Sequence, residues 1–343
     1  MIHHPFTTKL HMQSQKPYNK QLWWRLILII GLLLAVLFFI MTPWNIEHLP
    51  SRPNPAKSYN EALARTEALR LAQAQPMNPR CELQLMTHKH KTEHAIVLVH
   101  GYTSCPRQFQ ALGKQFYNAG YNVLIAPLPH HGYANRLSRE HGKLTAEELA
   151  TYADRTIDIA HGLGNKVVMM GLSAGGVTTA WAAQNRPDIE RAIIISPAFG
   201  FKQIPLPFTA AAMNLFSALP DEFEWWNPTL REHETPTYAY PQYSRHALTQ
   251  ILRLGFIAKF DALHHAPATK KIALVVNHND TSVSNEAALQ FIAVWQKKQN
   301  QTIAIIEFAD SLKLPHDLID PEKVNQRTNV VYPRLLQITG GER

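Results

Sequence analysis

One serine in this 343-residue chain has the neighbours that chemistry at a hydroxyl group requires. Ser173 is the centre of the pentapeptide GLSAG, between an apolar run at 166–171 and a small-residue stretch at 175–184. Glycines remove the side chains that would clash in a sharp turn from strand to helix. The pattern predicts an elbow at which Gly171 and Gly175 let the serine stand clear at the carboxyl edge of a sheet. The alternative is a tight turn in which the serine has no role.

A serine hydroxyl is a weak nucleophile until a base takes its proton, and the base needs an acid to orient it. Asp280 directly follows the stretch KIALVVNHN at 271–279, and His316 lies in the loop beyond the next predicted strand. Parallel sheets place their working residues in loops at the carboxyl edge. We therefore predict Asp280 as the acid and His316 as the base. Asp317 and Asp310 are alternative acids, and a turn-forming aspartate or a surface histidine would be the structural explanation.

Attack by Ser173 on a carbonyl group would place negative charge on its oxygen, which two backbone amides usually stabilise. One is the amide after the nucleophile, here that of Ala174. The other comes from a loop after an earlier strand, and VLVHGYT at 97–103 provides one with a glycine at the turn. We predict that the amides of Tyr102 and Ala174 form this oxyanion hole, and that His100 supports the loop.

The elements that must position these residues alternate along the chain from about residue 79. Continuous apolar strands separated by helices indicate a parallel sheet covered on both faces. The sequence predicts strands at 95–101, 121–129, 166–171, 191–200, 271–280 and 302–310, and helices at 106–120, 145–164, 175–184, 286–299 and 321–337. Thr145 and Glu148 have the spacing of a capping box at the start of the second helix.

The stretch at about 201–267 interrupts this alternation, because it is rich in proline and aromatic residues. It is predicted to be an insert between two strands of the sheet.

The N-terminus indicates a membrane segment. Residues 26–41 carry no charge, and tryptophans bracket them, so that 22–44 approaches the roughly 20 residues that a bilayer requires. Positive charge before the span predicts a cytoplasmic segment at 1–21, a signal-anchor helix at 22–44 and, after a proline-rich tether at 45–78, an extracytoplasmic domain at 79–343. A cleaved signal peptide and a buried helix are the alternatives, and the first lacks a small-residue cleavage site.

The overall charge and the histidines indicate no further ligand. The net charge is +8, but no basic run with interleaved aromatics accompanies it, so we expect no nucleic-acid partner. The histidine-rich stretch 88–94 lacks an acid or cysteine at a fixed ligand spacing and is predicted to form a solvated hairpin ahead of the strand that begins at residue 95. We expect no metal and no cofactor, and the sequence leaves the oligomeric state open.

The two cysteines, Cys81 and Cys105, are either one disulfide or two free thiols, and the compartment decides between them. An extracytoplasmic domain favours the disulfide, which would close a loop of about 25 residues and add about 3 kcal/mol of stability.

Four motifs together resemble the α/β-hydrolase superfamily, over about 79–343. They are HGYT (100–103), GLSAGG (171–176), NHND (277–280) and LPHD (314–317), in the family's order. The loop PLPHHG (127–132) makes the chain similar to the bacterial carboxylesterase and monoacylglycerol-lipase-like branch.

The resemblance implies a serine hydrolase, with Ser173 as nucleophile, Asp280 as acid and His316 as base, acting on an ester, thioester or amide. The expected substrate is a small acyl ester or lipid, and the bacterial resemblance implies an inner-membrane protein with a periplasmic domain. Acyl transfer, thioesterase, peptidase and haloperoxidase activity, and a non-catalytic binding role, remain alternatives. The insert at about 201–267 lies where the family carries a lid or cap. Its apolar residues either line an acyl groove or only pack the lid: Phe208, Met213, Leu215, Phe216, Trp225 and Trp226.

Overall fold

The computed structural model describes residues 20–233, 236–298 and 303–340, in two compact units that divide after Thr42. The predicted cytoplasmic segment 1–21 lies outside the described residues, except for its last two. The first unit contains helix α1 (Lys20–Met41), whose 22 residues span about 33 Å. Within the described residues, Trp23–Met41 is the one helix long and apolar enough to cross a membrane. These properties suit a membrane anchor or a signal sequence.

The second unit, residues 43–343, contains the α/β-hydrolase fold that the motifs indicate. Its seven-stranded sheet has the order β1-β3-β2-β4-β5-β8-β9, in which β1 runs antiparallel to β3 and the other neighbouring pairs are parallel. A separate antiparallel pair, β6 and β7, lies in the insert. The strands are β1 (Gln84–Met86), β2 (Thr92–Val99), β3 (Asn122–Ile125), β4 (Gly164–Leu172), β5 (Ile189–Ile195), β6 (Phe223–Trp225), β7 (Gln242–Ser244), β8 (Lys271–Asn277) and β9 (Ala304–Phe308).

Helices cover both faces of the large sheet. The described helices of this unit are α2 (Tyr59–Leu71), α3 (Gln110–Asn118), α4 (Ala146–Leu163), α5 (Ala174–Asn185), α6 (Thr209–Ala218), α7 (Arg245–His264), α8 (Asn285–Lys298) and α9 (Thr328–Ile338). The predicted capping box is confirmed at the start of α4, where the Thr145 hydroxyl accepts from the Glu148 amide and the Glu148 carboxylate accepts from the Thr145 amide.

Alternate residues of each central strand enter opposite cores. In β2, Ala95, Val97 and Val99 join the core beneath α4, α5, α7 and α8, whereas Ile96 and Leu98 join the core beneath α3 and α9. All five side chains are fully buried. Burial on both faces is the reason why the strand reads as a continuous apolar run.

The insert between β5 and β8 has two parts. Its first part, which holds α6 and the β6–β7 pair, lies outside the sheet. The second part is α7, whose Ile251, Leu254 and Ile257 are buried in the core that contains α5. Helix α7 therefore acts as a crossover helix of the α/β fold, and the part of 201–267 that lies outside the sheet and its covering helices ends at Ser244.

The segment 45–78, for which the sequence predicts a tether, makes specific contacts with the α/β fold. The Trp181 indole donates to the Leu49 carbonyl at 3.2 Å, and the Ala56 amide donates to the Asp158 carbonyl at 2.9 Å. Helix α2 packs on α4, with Ala62 fully buried. The prolines of the segment 45–78 suit an extended course of the chain, because proline has no backbone N–H that needs an acceptor.

A buried cluster of charges holds the middle of this segment. Arg186 has no exposed surface, and its guanidinium contacts Asp154 at 3.0 Å and Asp158 at 2.8 Å. The remaining oxygens of these carboxylates accept from the amides of Arg52 at 2.7 Å and Asn54 at 2.9 Å. The arginine therefore bridges the two carboxylates that bind the segment to α4 and offsets part of their negative charge.

We predict that Arg186→Met lowers the free energy of unfolding by about 3–5 kcal/mol, because it leaves buried carboxylates without their cation. Chemical denaturation of the detergent-solubilised chain measures this loss. Lys166→Met, which breaks the exposed Lys166–Glu93 pair, is the matched control and should leave the unfolding midpoint unchanged. Equal midpoints for both variants would contradict the assigned role of Arg186.

Candidate active site

The turn between β4 and α5 consists of Ser173 alone. The serine has a backbone φ of 58°, a left-handed conformation that non-glycine residues rarely adopt. A Cβ atom at Gly171 would lie 2.1 Å from the Gly175 carbonyl oxygen, and one at Gly175 would lie 2.2 Å from the Val99 carbonyl oxygen. Both positions require glycine because backbone segments approach each other closely there. A steric constraint therefore explains the two glycines of the GLSAG pentapeptide.

Hydrogen bonds from neighbouring elements fix this strained turn. The Ser173 amide donates to the Ile195 carbonyl at 2.9 Å, and the Ala198 amide donates to the Ser173 carbonyl at 3.2 Å. The turn is thereby joined to the end of β5. Ser173 caps the N-terminus of α5, where the helix dipole favours negative charge.

Asp280 and His316 form a buried pair at the same edge of the sheet. His316 Nδ1 lies 2.7 Å from Asp280 Oδ2, and the aspartate side chain has no exposed surface. The other carboxylate oxygen of Asp280 accepts from the amides of Ser282 at 2.8 Å and Val283 at 3.0 Å. Asp280 thus keeps its second oxygen for the imidazole alone.

The loop that carries His316 is held by the end of β8. The buried Asn277 side chain donates to the carbonyls of Leu314 at 3.0 Å and Pro315 at 3.1 Å, and Asn279 also donates to Leu314. The motif NHND therefore supplies the acid and also the amides that hold the base. The sequence alone does not indicate that Asn277 and Asn279 hold the His316 loop, although both asparagines belong to the NHND motif.

Electrostatics of the pair favour the charged forms of both groups. Burial alone would raise the pKa of Asp280, but the charge and hydrogen bond of His316 outweigh it, so this pKa is lowered. Burial likewise opposes protonation of His316, but the charges of Asp280 and Asp317 and the Asp280 hydrogen bond leave its pKa above the ordinary 6.5. Asp280 and Asp317 therefore stabilise the protonated form of His316.

The alternative acids have other partners. Asp317 accepts from the Gln108 side chain at 3.1 Å and pairs with Lys323 at 3.0 Å. Asp310 pairs with Lys313 at the surface. The geometry thus brings His316 to Asp280, the acid that the sequence favours.

The loop after β2 approaches the serine closely. A Cβ atom at Gly101 would lie 3.5 Å from the Ser173 Cβ. The Gly101 amide donates to the side chain of Gln108 at 2.9 Å, and the Gly101 carbonyl accepts from His100 Nδ1 at 2.8 Å. Because the peptide bond is trans, the N–H of Tyr102 points away from that carbonyl. Among the described residues, no protein group accepts a hydrogen bond from the Tyr102 or Ala174 amide.

Three neutral histidines lie beneath this loop. His100 and His131 each donate through Nδ1 to a carbonyl and accept through Nε2 from a backbone amide, namely those of Leu128 and Thr103. Burial lowers the pKa of His100 and of His141 to about 4 and that of His131 well below its usual value. His131 belongs to the PLPHHG loop, whereas nothing in the sequence singles out His141.

A cavity of about 790 Å³ opens above the serine. Its walls include Ser173 and His316, residues of the loop after β2, and side chains of the insert. Of the six apolar residues expected to form an acyl groove, Phe216, Trp225 and Trp226 line this cavity. Met213 is buried instead, and Phe208 and Leu215 are more than half exposed.

Cys81 and Cys105 form a disulfide, as the sequence favours for a domain outside the cytoplasm. Both residues are fully buried against Tyr238 of the insert. Cys105 directly precedes the short 3₁₀ helix Pro106–Phe109, which carries Gln108. The disulfide therefore anchors the segment whose side chain holds the Gly101 amide.

Comparisons with known proteins show which family and which folds the chain is similar to. A family model described as "Serine aminopeptidase, S33" matches residues 90–307. The thermostable monoacylglycerol lipase of Bacillus sp. strain H-257 is 27% identical over 167 residues, which cover 46% of this chain and 60% of that protein. The match thus spans less than two thirds of the Bacillus protein.

Two solved structures share the fold. The monoacylglycerol lipase of Paleococcus ferrophilus has a TM-score of 0.55 at 21% identity, over 76% of this chain and all of that one. A soluble variant of the monoglyceride lipase of Saccharomyces cerevisiae, in complex with a substrate analogue, has a TM-score of 0.57 at 14% identity, over 76% and 91%. The chain therefore belongs to the α/β-hydrolase family described as "Serine aminopeptidase, S33".

Proposed function

We propose that this protein cleaves carboxylic esters through an acyl-enzyme, as a membrane-anchored hydrolase. The observation that carries the proposal is the shared cavity wall of Ser173 and His316, with Asp280 bonded to the far side of the imidazole. A nucleophile, a base and an orienting acid are the three groups that such chemistry needs.

In the proposed mechanism, the Ser173 oxygen attacks the ester carbonyl carbon while His316 takes the hydroxyl proton. Asp280 holds the imidazole in the required tautomer and stabilises the imidazolium that forms. The amides of Tyr102 and Ala174 receive the negative oxygen, each donor being worth about 3–4 kcal/mol of barrier. His316 then protonates the leaving alcohol, and water attacks the acyl-enzyme by the same route.

The cavity supports an apolar acyl group. Phe216, Trp225, Trp226 and Leu252 line it beside the serine, and side chains of this type suit an alkyl chain. The relatives named monoacylglycerol lipases support the same substrate class. The family's description favours an aminopeptidase as the second candidate, since the same serine and histidine can also cleave an amide.

The proposed location is the periplasmic face of a bacterial inner membrane. The apolar helix α1 near the N-terminus supports an anchor, and the positive charges before it support a cytoplasmic N-terminus. The buried disulfide between Cys81 and Cys105 supports an oxidising compartment.

We predict that a fluorophosphonate probe labels the intact chain covalently and that Ser173→Ala abolishes the labelling. The neighbouring Ser196→Ala variant, at the end of β5, is the control and should still be labelled. An unlabelled wild-type protein that folds normally would support a non-catalytic binding role.

We expect nitrophenyl esters of medium or long acyl chains to be cleaved faster than acetate, because apolar side chains form part of the cavity wall. A parallel series of aminoacyl nitroanilides tests the aminopeptidase alternative, with Ser173→Ala as the blank in both. Faster cleavage of the anilides would reverse the assignment. Product analysis with an added alcohol separates hydrolysis from acyl transfer.

The pH dependence of kcat/KM should report the protonation of His316, because the imidazole must be neutral to act as the base. The pKa of His316 is raised. Activity is therefore expected to fall as the pH drops through a value above 6.5. Asp280→Asn removes the charge that raises this pKa, so the acid limb moves to lower pH, and kcat falls by about 10⁴. Asp317→Asn, the matched control, should shift the limb less and keep most of kcat. The reverse order would make Asp317 the acid.

A membrane anchor and a cleaved signal sequence predict mature proteins that differ in mass and in membrane association. We expect alkaline carbonate to leave the protein in the membrane fraction, with an intact mass of 38.9 kDa. Protease added to spheroplasts should digest the domain. A soluble product that begins after Met41 would establish cleavage instead.

A further inference from the structure

Thr103, next to the predicted oxyanion-hole residue Tyr102, has an unusual backbone conformation. Its φ is 62°, in the left-handed region, where a β-branched residue is strained. Such a conformation persists only when surrounding contacts determine it. The partners of Thr103 therefore decide the shape of the loop after β2.

Two of those partners come from the insert. The Trp226 indole N–H donates to the Thr103 hydroxyl at 2.9 Å, and the Tyr240 amide donates to the Thr103 carbonyl at 2.8 Å. The hydroxyl in turn donates to the Tyr102 carbonyl at 2.7 Å. His131 accepts from the Thr103 amide at 3.2 Å and completes the set.

These contacts fix the peptide plane on one side of Tyr102, and His100 fixes the plane on the other side. The Tyr102 carbonyl is held by Thr103, whereas the Gly101 carbonyl, which shares a plane with the Tyr102 N–H, is held by His100. Both torsions of Tyr102 are thereby determined. The insert contributes to one of the two constraints, together with His131.

Trp226 is the exposed member of this network. Its side chain is 44% exposed, so core burial is not its main contribution. Its ring contacts Tyr243 with centroids 4.4 Å apart, and its amide donates to the Pro241 carbonyl at 3.0 Å. The indole is thus carried by the β6–β7 part of the insert and lines the cavity that Ser173 lines.

We propose that Trp226 is a positioning residue, through which the insert sets the orientation of the Tyr102 amide by way of Thr103. The insert then governs the rate of the chemical step in addition to the shape of the cavity. The inference rests on the proposed ester hydrolysis, because it assigns a role to the oxyanion hole of that reaction.

The test compares Trp226→Phe, which keeps an aromatic ring but loses the N–H, with Thr103→Val, which loses the hydroxyl at nearly constant volume. We expect each to lower kcat about 10- to 100-fold, less than the roughly 10²–10³ for removal of a whole oxyanion donor. KM should change less than about threefold, because the donor acts mainly in the transition state. The double variant should be no slower than the slower single variant, since both break one chain of bonds.

The inhibition constant of a trifluoromethyl ketone is a measurement that a purely structural role of Trp226 would not change. Ser173 Oγ adds to the ketone carbon, its proton passes to His316, and the carbonyl oxygen becomes the bound oxyanion. The inhibition constant should rise by the factor by which kcat/KM falls, while the melting temperature stays unchanged. Thr103→Ser, which keeps the hydroxyl, should restore most of the activity.

Trp225→Phe removes an indole nitrogen from the preceding residue. It separates effects on substrate binding in the cavity from effects on the position of the Tyr102 amide. Its effect should fall on KM, because Trp225 lines the cavity and makes no indole bond to Thr103. The proposal is overturned if Trp226→Phe leaves kcat unchanged, if its effect falls on KM alone, or if the two single effects add fully. Each of those results leaves ester hydrolysis intact. A wild-type chain that shows no Ser173-dependent hydrolysis would reject the proposed function itself.

Discussion

The first turn of α5 packs against the ends of β2 and β4 without room for a side chain, and the other features of the site depend on this contact. A Cβ atom at Gly175 would meet the Val99 carbonyl oxygen at 2.2 Å, and one at Gly171 would meet Gly175 itself. The close approach forces Ser173 into a left-handed conformation and directs it to the edge of the sheet. Strain of this kind persists because the ends of β5 and the following loop bond both sides of the serine.

Burial has opposite consequences for the two groups of histidines around the serine. His100 and His131 are buried with carbonyl acceptors at Nδ1 and amide donors at Nε2, so they remain neutral and hold backbone in place. His316 is also largely buried, but it faces the carboxylate of Asp280, and its pKa rises. One type of side chain thus serves as a fixed support at one position and as a group able to exchange a proton at another.

The loop after β2 is held from three directions, by residues near it in sequence and by the distant insert. Gln108 holds Gly101 from the segment fixed by the disulfide, and His100 holds the same residue from within the core. The insert contributes through Trp226 and Tyr240 at Thr103. The insert is therefore connected to the residues beside the serine by hydrogen bonds as well as by apolar contact.

The sequence by itself determined the α/β fold and the elbow, and it favoured the disulfide without deciding it. The first two depend on a local requirement, namely a doubly buried strand or a glycine at a steric contact. It also singled out Asp280 and His316, because carboxyl-edge loops follow directly from strand ends. Only the tertiary structure decided which acid meets the imidazole, that the segment 45–78 binds Asp154 and Asp158, and that α7 belongs to the core. It alone placed Gln108, His141 and Trp226 around the loop after β2. These outcomes depend on contacts between residues as many as 209 positions apart, which leave no periodic or local signal in a single chain.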